Sequence, residues 1–269
     1  MSDSTGPDRI EVGKREEFNS ALAQLRSVGA TALVTGTADP VAFHRISGHL
    51  LGDIESNRIP VFVLVGRNQN IIQERTRHPA AVNEFQIVEF MSELADAYEP
   101  RGPRLRIPNS EDEHNPDDGE PANDFSAASE ESSGRPPETT DLEVLYERVV
   151  DAVESVSRRY QLDAWDLRIA IDSCIPLLEY NELDASVDFF DRIGDLTRDH
   201  TGLTHAVYPI PLNSERAATA DSVDDLLDAF DIHIRVRSQQ GHHETQWELL
   251  DFDCRTAWLD LPPAHQSLP

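Results

Sequence analysis

The stretch Leu167–Tyr180, LRIAIDSCIPLLEY, opens with a run of Leu, Ile and Ala interrupted only by Arg168 and closes on Asp172. A short apolar run of this kind reads as a mostly buried strand of an α/β sheet, with one acid at its carboxyl end. In an open α/β sheet, ligands bind at that end of the strands. Asp172 and the adjoining Ser173 are therefore the first candidate site residues.

Working outward toward the carboxyl terminus, Val187, Phe190 and Ile193 share one face of a helix spanning 183–196. Residues 204–210, THAVYPI, follow as a strand ended by Pro209 and Pro211. A short helix over 223–230, capped by Ser222, leads to a half-exposed strand over 232–237. A turn around Gln240-Gly241 and a strand over 245–252 close the chain as an antiparallel hairpin. On the amino-terminal side, Leu142, Leu145, Val149, Val153 and Val156 define a long amphipathic helix ending near Tyr160.

The first hundred residues carry the same alternation. Phe18, Leu22, Leu25 and Val28 recur at helical spacing over 15–28, and Gly29 stops that helix. TALVT, 31–35, is a first strand and VFVLV, 61–65, a second, fully apolar and so central. A helix placing Phe43, Ile46 and Leu50 on one face lies between them and ends near Gly52. A short helix over 68–77 and a third strand over 84–90, nearer an edge, complete this half.

After the first strand the chain reads GTADPVAFHRIS from Gly36 to Ser47. A phosphate-binding loop, GxxxxGK[ST], needs glycines whose backbone N–H groups cradle the phosphates and a lysine that reaches them. Here a second glycine and a lysine are both missing, and Asp39 puts a negative charge where a phosphate would sit. Asp39-Pro40 reads instead as a helix N-cap with proline in the first turn.

Between Glu99 and Thr140, Pro, Ser, Gly, Asp and Glu dominate and apolar periodicity is lost. Such a segment buries too little apolar area to offset its ordering entropy, so 99–141 is expected to be a disordered acidic insertion. The units before it (15–98) and after it (142–261) read as two halves of one domain, flanked by a disordered start (1–14) and a tail (262–269).

The formal charge is −27, from 50 acidic against 23 basic residues, and Lys14 is the only lysine. A polyanion such as nucleic acid is repelled by that field and is excluded as a direct partner. Cys174 and Cys254 are not near a second Cys or a His at metal-ligand spacing. His44 and His49 lie five apart, off the spacing that turns two ligands to one metal. His205, His233, His242 and His243 read as satisfied or exposed side chains. The sequence contains no GxSxG, HExxH, CxxC or GxGxxG motif. With no apolar run of membrane-spanning or signal-peptide length, a soluble cytoplasmic protein is expected.

The apolar-apolar-Asp-Ser ending of IDSCIPLLEY resembles the Walker B strand of RecA/KaiC-like P-loop ATPases, where the acid helps hold Mg²⁺ beside the phosphates. The order of elements around it is similar to the carboxyl half of such a core, and 31–98 to its amino half. The acidic, lysine-poor composition resembles cytosolic proteins of salt-accumulating halophilic archaea, and most of the chain is similar to an uncharacterised haloarchaeal family with an eroded phosphate loop. The resemblance implies a three-layer, mostly parallel sheet with helices on both faces and a C-terminal antiparallel hairpin. It also implies a non-catalytic regulatory or scaffold protein without a cofactor, working through a protein partner or self-association. The alternative is a nucleotide-binding sensor for ATP, GTP or a cyclic dinucleotide that uses Gly36, Asp172 and Ser173. A hydrolase of unrelated mechanism is the weakest reading, since the sequence offers it no nucleophile–base pair.

Overall fold

A computed structural model describes residues 12–52, 58–65, 86–89, 142–210, 220–239 and 241–262. Four expectations lie wholly or mostly outside them: the 1–14 disordered start, whose described residues 12–14 are helical, the 68–77 helix, the 99–141 insertion and the 262–269 tail.

The described chain runs α1 (Val12–Val28), β1 (Ala30–Thr37), α2 (Pro40–Leu51), β2 (Ile59–Leu64), β3 (Gln86–Glu89), α3 (Leu142–Arg159), β4 (Leu167–Ile171) and α4 (Ile175–Tyr180). It continues with α5 (Leu183–Asp199), β5 (Leu203–Pro209), α6 (Ala220–Leu227), β6 (Ile232–Gln239), β7 (His242–Leu249), β8 (Cys254–Arg255) and β9 (Leu259–Asp260). The fold is α/β, and its mixed sheet has the order β3-β2-β4-β5-β1-β6-β7-β8, with β9 also on β7. The six strands β3 to β6 in that order are parallel, and β7, β8 and β9 pair antiparallel.

β4 and β5, which follow the long segment after β3, insert between β2 and β1. Strands from before and after residues 99–141 therefore share one ladder. Two apolar layers flank it. Leu145, Val149, Val153 and Val156 of α3, Phe189, Phe190 and Ile193 of α5, and Leu226 of α6 pack with Ile169 and Ile171 on one face. Ala21 and Leu25 of α1 and Phe43, Ile46 and Leu50 of α2 pack with Ala32, Val34 and Ile234 on the other. Central strands covered on both faces are mostly apolar, which is why β2 and β4 read as near-continuous runs rather than alternations.

Several boundaries move. α6 begins at Ala220, so Ser222 lies inside the helix rather than capping it. β7 starts at His242, three residues earlier than its apolar pattern indicates, because the hairpin pairs from Gln239↔His242 onward. Val28, expected on the apolar face of α1, is 49% exposed, while Leu25, expected there too, is buried together with Ala21.

Candidate functional site

The crossover from β1 passes through α2 on one face, whereas those from β4 and β5 pass through α5 and α6 on the other. The connections therefore part between β1 and β5, the topological position at which open α/β sheets bind ligands. Gly36 of β1 pairs with Pro209 of β5 there.

That position is closed by the chain itself. Gly36 is still a sheet residue: it pairs with Val236 on its other side, and its carbonyl accepts from the Ile210 N–H at 2.9 Å. Its φ of +138° is open to glycine but rarely to other residues, and a Cβ here would lie 1.9 Å from the Val236 carbonyl oxygen. The glycine is thus explained by the close approach of β6, with no phosphate required.

Asp39 caps α2 as its sequence indicates, with extended backbone and its Oδ1 accepting from the Ala42 N–H at 3.0 Å. Its Oδ2 lies 2.8 Å from His243 Nε2, and His243 Nδ1 lies 3.3 Å from Arg45 Nη1. A guanidinium only donates, so Nδ1 is the acceptor and Nε2 carries the proton toward Asp39. Burial pushes the Asp39 pKa up, but the N–H groups of Ala42 and Val41 and the His243 ring outweigh it, and the carboxyl is held below its usual value. The positive end of α2 is thus already neutralised by a carboxylate of its own.

Asp172 is placed differently from a metal ligand facing that corner. Its Oδ1 accepts from the Val65 N–H at 2.8 Å, while its own N–H donates to Val63 O. Both bonds run to the end of β2, on the side of β4 away from β1. Ser173 Oγ accepts from the Ile175 N–H at 3.3 Å and starts α4. Gly36, Asp172 and Ser173 therefore lie along one edge of the sheet, each engaged by a different neighbouring segment, and share no common partner among these bonds.

Each core histidine makes a hydrogen bond through Nε2. His205 Nε2 meets Ser47 Oγ at 2.8 Å, and His233 Nε2 meets Thr35 Oγ1 at 2.7 Å. Burial depresses the His233 pKa to about 4, with Arg235 adding to the effect and Glu248 and Asp224 opposing it. His242 is exposed. Cys174 is buried and its thiol is pushed well up by that burial, so it offers no thiolate nucleophile. Among the described residues no group of three His, Cys, Asp or Glu could hold a metal ion, and no helix is long and apolar enough to cross a membrane. A shallow groove of about 330 Å³ lies at the β3 edge, between Ile87, Glu89, Arg148 and Ser155.

Sequence reasoning missed two clusters. The Asp39–His243–Arg45 chain joins residues about 200 positions apart, so local spacing carries no sign of it. The second lies at the opposite ends of the strands, where Arg168 packs on Trp165. Its signal was present: Arg168 is the single polar interruption of LRIAI.

Residues 29–236 match the model of a family of unknown function, DUF7504. The match covers well over half of the chain, which belongs to that family. It begins just before β1 and ends within β6, so it takes in five of the parallel strands and the first part of the sixth. No curated protein matches the sequence.

Proposed function

We propose that this DUF7504 member is a non-catalytic regulatory or scaffold protein on a degenerate RecA/KaiC-like core, acting in a salt-rich cytoplasm through contacts with a protein partner or a second copy. The strand order supports the resemblance. β1, which leads into the altered loop, is central, and the acid-ended β4 stands one strand away across β5. Two strand spacings, about 9.6 Å, separate β1 from β4.

The observation that carries the non-catalytic reading is the occupied corner after β1. Phosphoryl transfer depends on fixed positive charge around the phosphates. Here Asp39 fills the helix start, bonded to Ala42 and His243. The Asp172 carboxylate caps β2. A nucleotide would have to displace one carboxylate and release another. The sensor reading draws on Arg45, which brings a cation beside His243 where a phosphate-loop lysine is missing.

Thermal unfolding in molar KCl with millimolar ATP, GTP and cyclic dinucleotides separates the two, because a ligand of the native state raises stability by RT ln(1 + [L]/Kd). The scaffold reading expects no rise in Tm, together with reproducible self-association or co-purification of one partner at high salt. A nucleotide-dependent rise that Arg45→Ala abolishes would replace it with the sensor.

A further inference from the structure

Away from the corner, at the amino ends of the strands, two guanidinium groups meet one indole, and the charge of a third, Arg58, is felt there. Arg168, the second residue of β4, is 1% exposed, and its Nε and Nη1 are buried without a hydrogen-bond partner. Its guanidinium carbon lies 4.7 Å from the centre of the Trp165 ring, and that of Arg26 lies 4.8 Å from the same ring. The Trp165 Nε1–H is also buried without a partner. Trp165 is held in the left-handed region at φ +69°, with its N–H donating to Thr201 O at 2.8 Å.

The three orphaned atoms have one chemistry in common: all are donors, and neither side chain has an acceptor to offer. A buried donor without an acceptor is costly, and a buried charge without a counter-charge is more so. Arg26 sits in the last turn of α1, and Arg58 packs against Gly52 at the end of α2. The carbonyl ends of those helices favour a cation beside them. Arg168 stands on a strand and has no such end to face. Burial, then Arg58 and Arg26, push its pKa down to about 9, against the pull of Asp166. Ring stacking supplies part of the compensation, yet it leaves the in-plane N–H groups unused.

We propose that Arg168 and Trp165, with Arg26 on the same ring and the charge of Arg58 nearby, form a buried binding site for a small inorganic anion of halide size. A halide accepts from any direction and brings no donors of its own, so it fits donors that come from two separate side chains. A water molecule would satisfy the geometry but bring no negative charge against Arg168, Arg26 and Arg58, which Asp166 only partly offsets. The site is independent of the function proposed for the opposite edge, and a failure of either leaves the other standing.

The test is a crystal of the full chain grown in bromide, paired with thermal unfolding in KCl and in potassium gluconate at equal potassium concentration. The expected result is an anomalous peak within hydrogen-bond distance of Arg168 Nε or Nη1. It is accompanied by a Tm several degrees higher in chloride than in gluconate, a gap lost in Arg168→Met. Trp165→Phe keeps the stacked ring, removes one donor and is expected to narrow the gap; it serves if Arg168→Met fails to fold. Density there without an anomalous signal, or an anion response unchanged in the variants, would overturn the site.

Discussion

The two ends of the parallel strands treat polar groups in opposite ways. At the carboxyl ends, Asp39, Asp172, Ser173 and His243 are all hydrogen-bonded to other groups of the chain. At the amino ends, Arg168 and Trp165 keep donors buried with no acceptor. In an α/β sheet the first end is where a ligand is expected, yet among the described residues it is the second that keeps buried cationic and indole donors unpartnered, against only Thr245 Oγ1 beside Val236 at the first. Position in a fold marks where ligands can bind. The balance of donors and acceptors decides whether anything is left for them to do.

The most severe way to break the closed end is Gly36→Ala. A Cβ would overlap the Val236 carbonyl in the middle of the sheet, and the backbone would be strained as well. The expected loss is about 3 kcal/mol or more, read as a fall in the urea midpoint, or outright failure to fold. A loss under about 1 kcal/mol would mean that the sheet opens easily at this corner.

Acid should come next. The unfolded chain protonates histidine near pH 6.5, whereas buried His233 stays neutral down to about pH 4. Its contribution is therefore complete above pH 6.5 and is lost as the pH falls from 6.5 toward 4, up to about 3 kcal/mol in all. Chemical denaturation across that window should show the slope, and His233→Gln should flatten it.

Asp172 sharpens the comparison directly. Removing its carboxyl group with Asp172→Ala strips the Val65 N–H of its acceptor and should cost about 1–3 kcal/mol. Asp172→Asn, which can still accept, should cost much less. A metal- or phosphate-linked acid would respond to neither change in the absence of ligand. Asp39→Ala, which removes a cap, carries the smallest expected effect, about 1 kcal/mol at neutral pH. Because the Asp39 carboxyl is held below its unfolded value, its charge-dependent contribution is present above about pH 4 and lost as the pH falls through the folded pKa. Asp39→Asn should keep the cap and remove that acid dependence.

Much of the architecture was legible because it follows local rules. The buried runs of β2 and β4, the stripes of α2, α3 and α5 and the Asp39-Pro40 cap each depend on residues within a few turns of one another. The end of a strand was harder to read than its middle. Pairing extends β7 back to His242, and Ala220 begins α6 ahead of its apolar stripe. Of the candidate site, the chemical departure of the Gly36–Ser47 turn was plain. The direction of the Asp172 side chain was not, since the same IDS could face β5 or β2.

From residue order alone came the alternation of strands and helices, the capped corner after β1 and the absence of a phosphate-loop lysine. These are properties of neighbouring residues and their periodicity. Only the folded chain decided that β4 and β5 slot between β2 and β1, that His243 reaches Asp39, and that Arg168 is enclosed against Trp165 without an acceptor. Each of these depends on which distant segments lie side by side. That is set by the joint burial of two apolar layers on one sheet, to which every helix contributes.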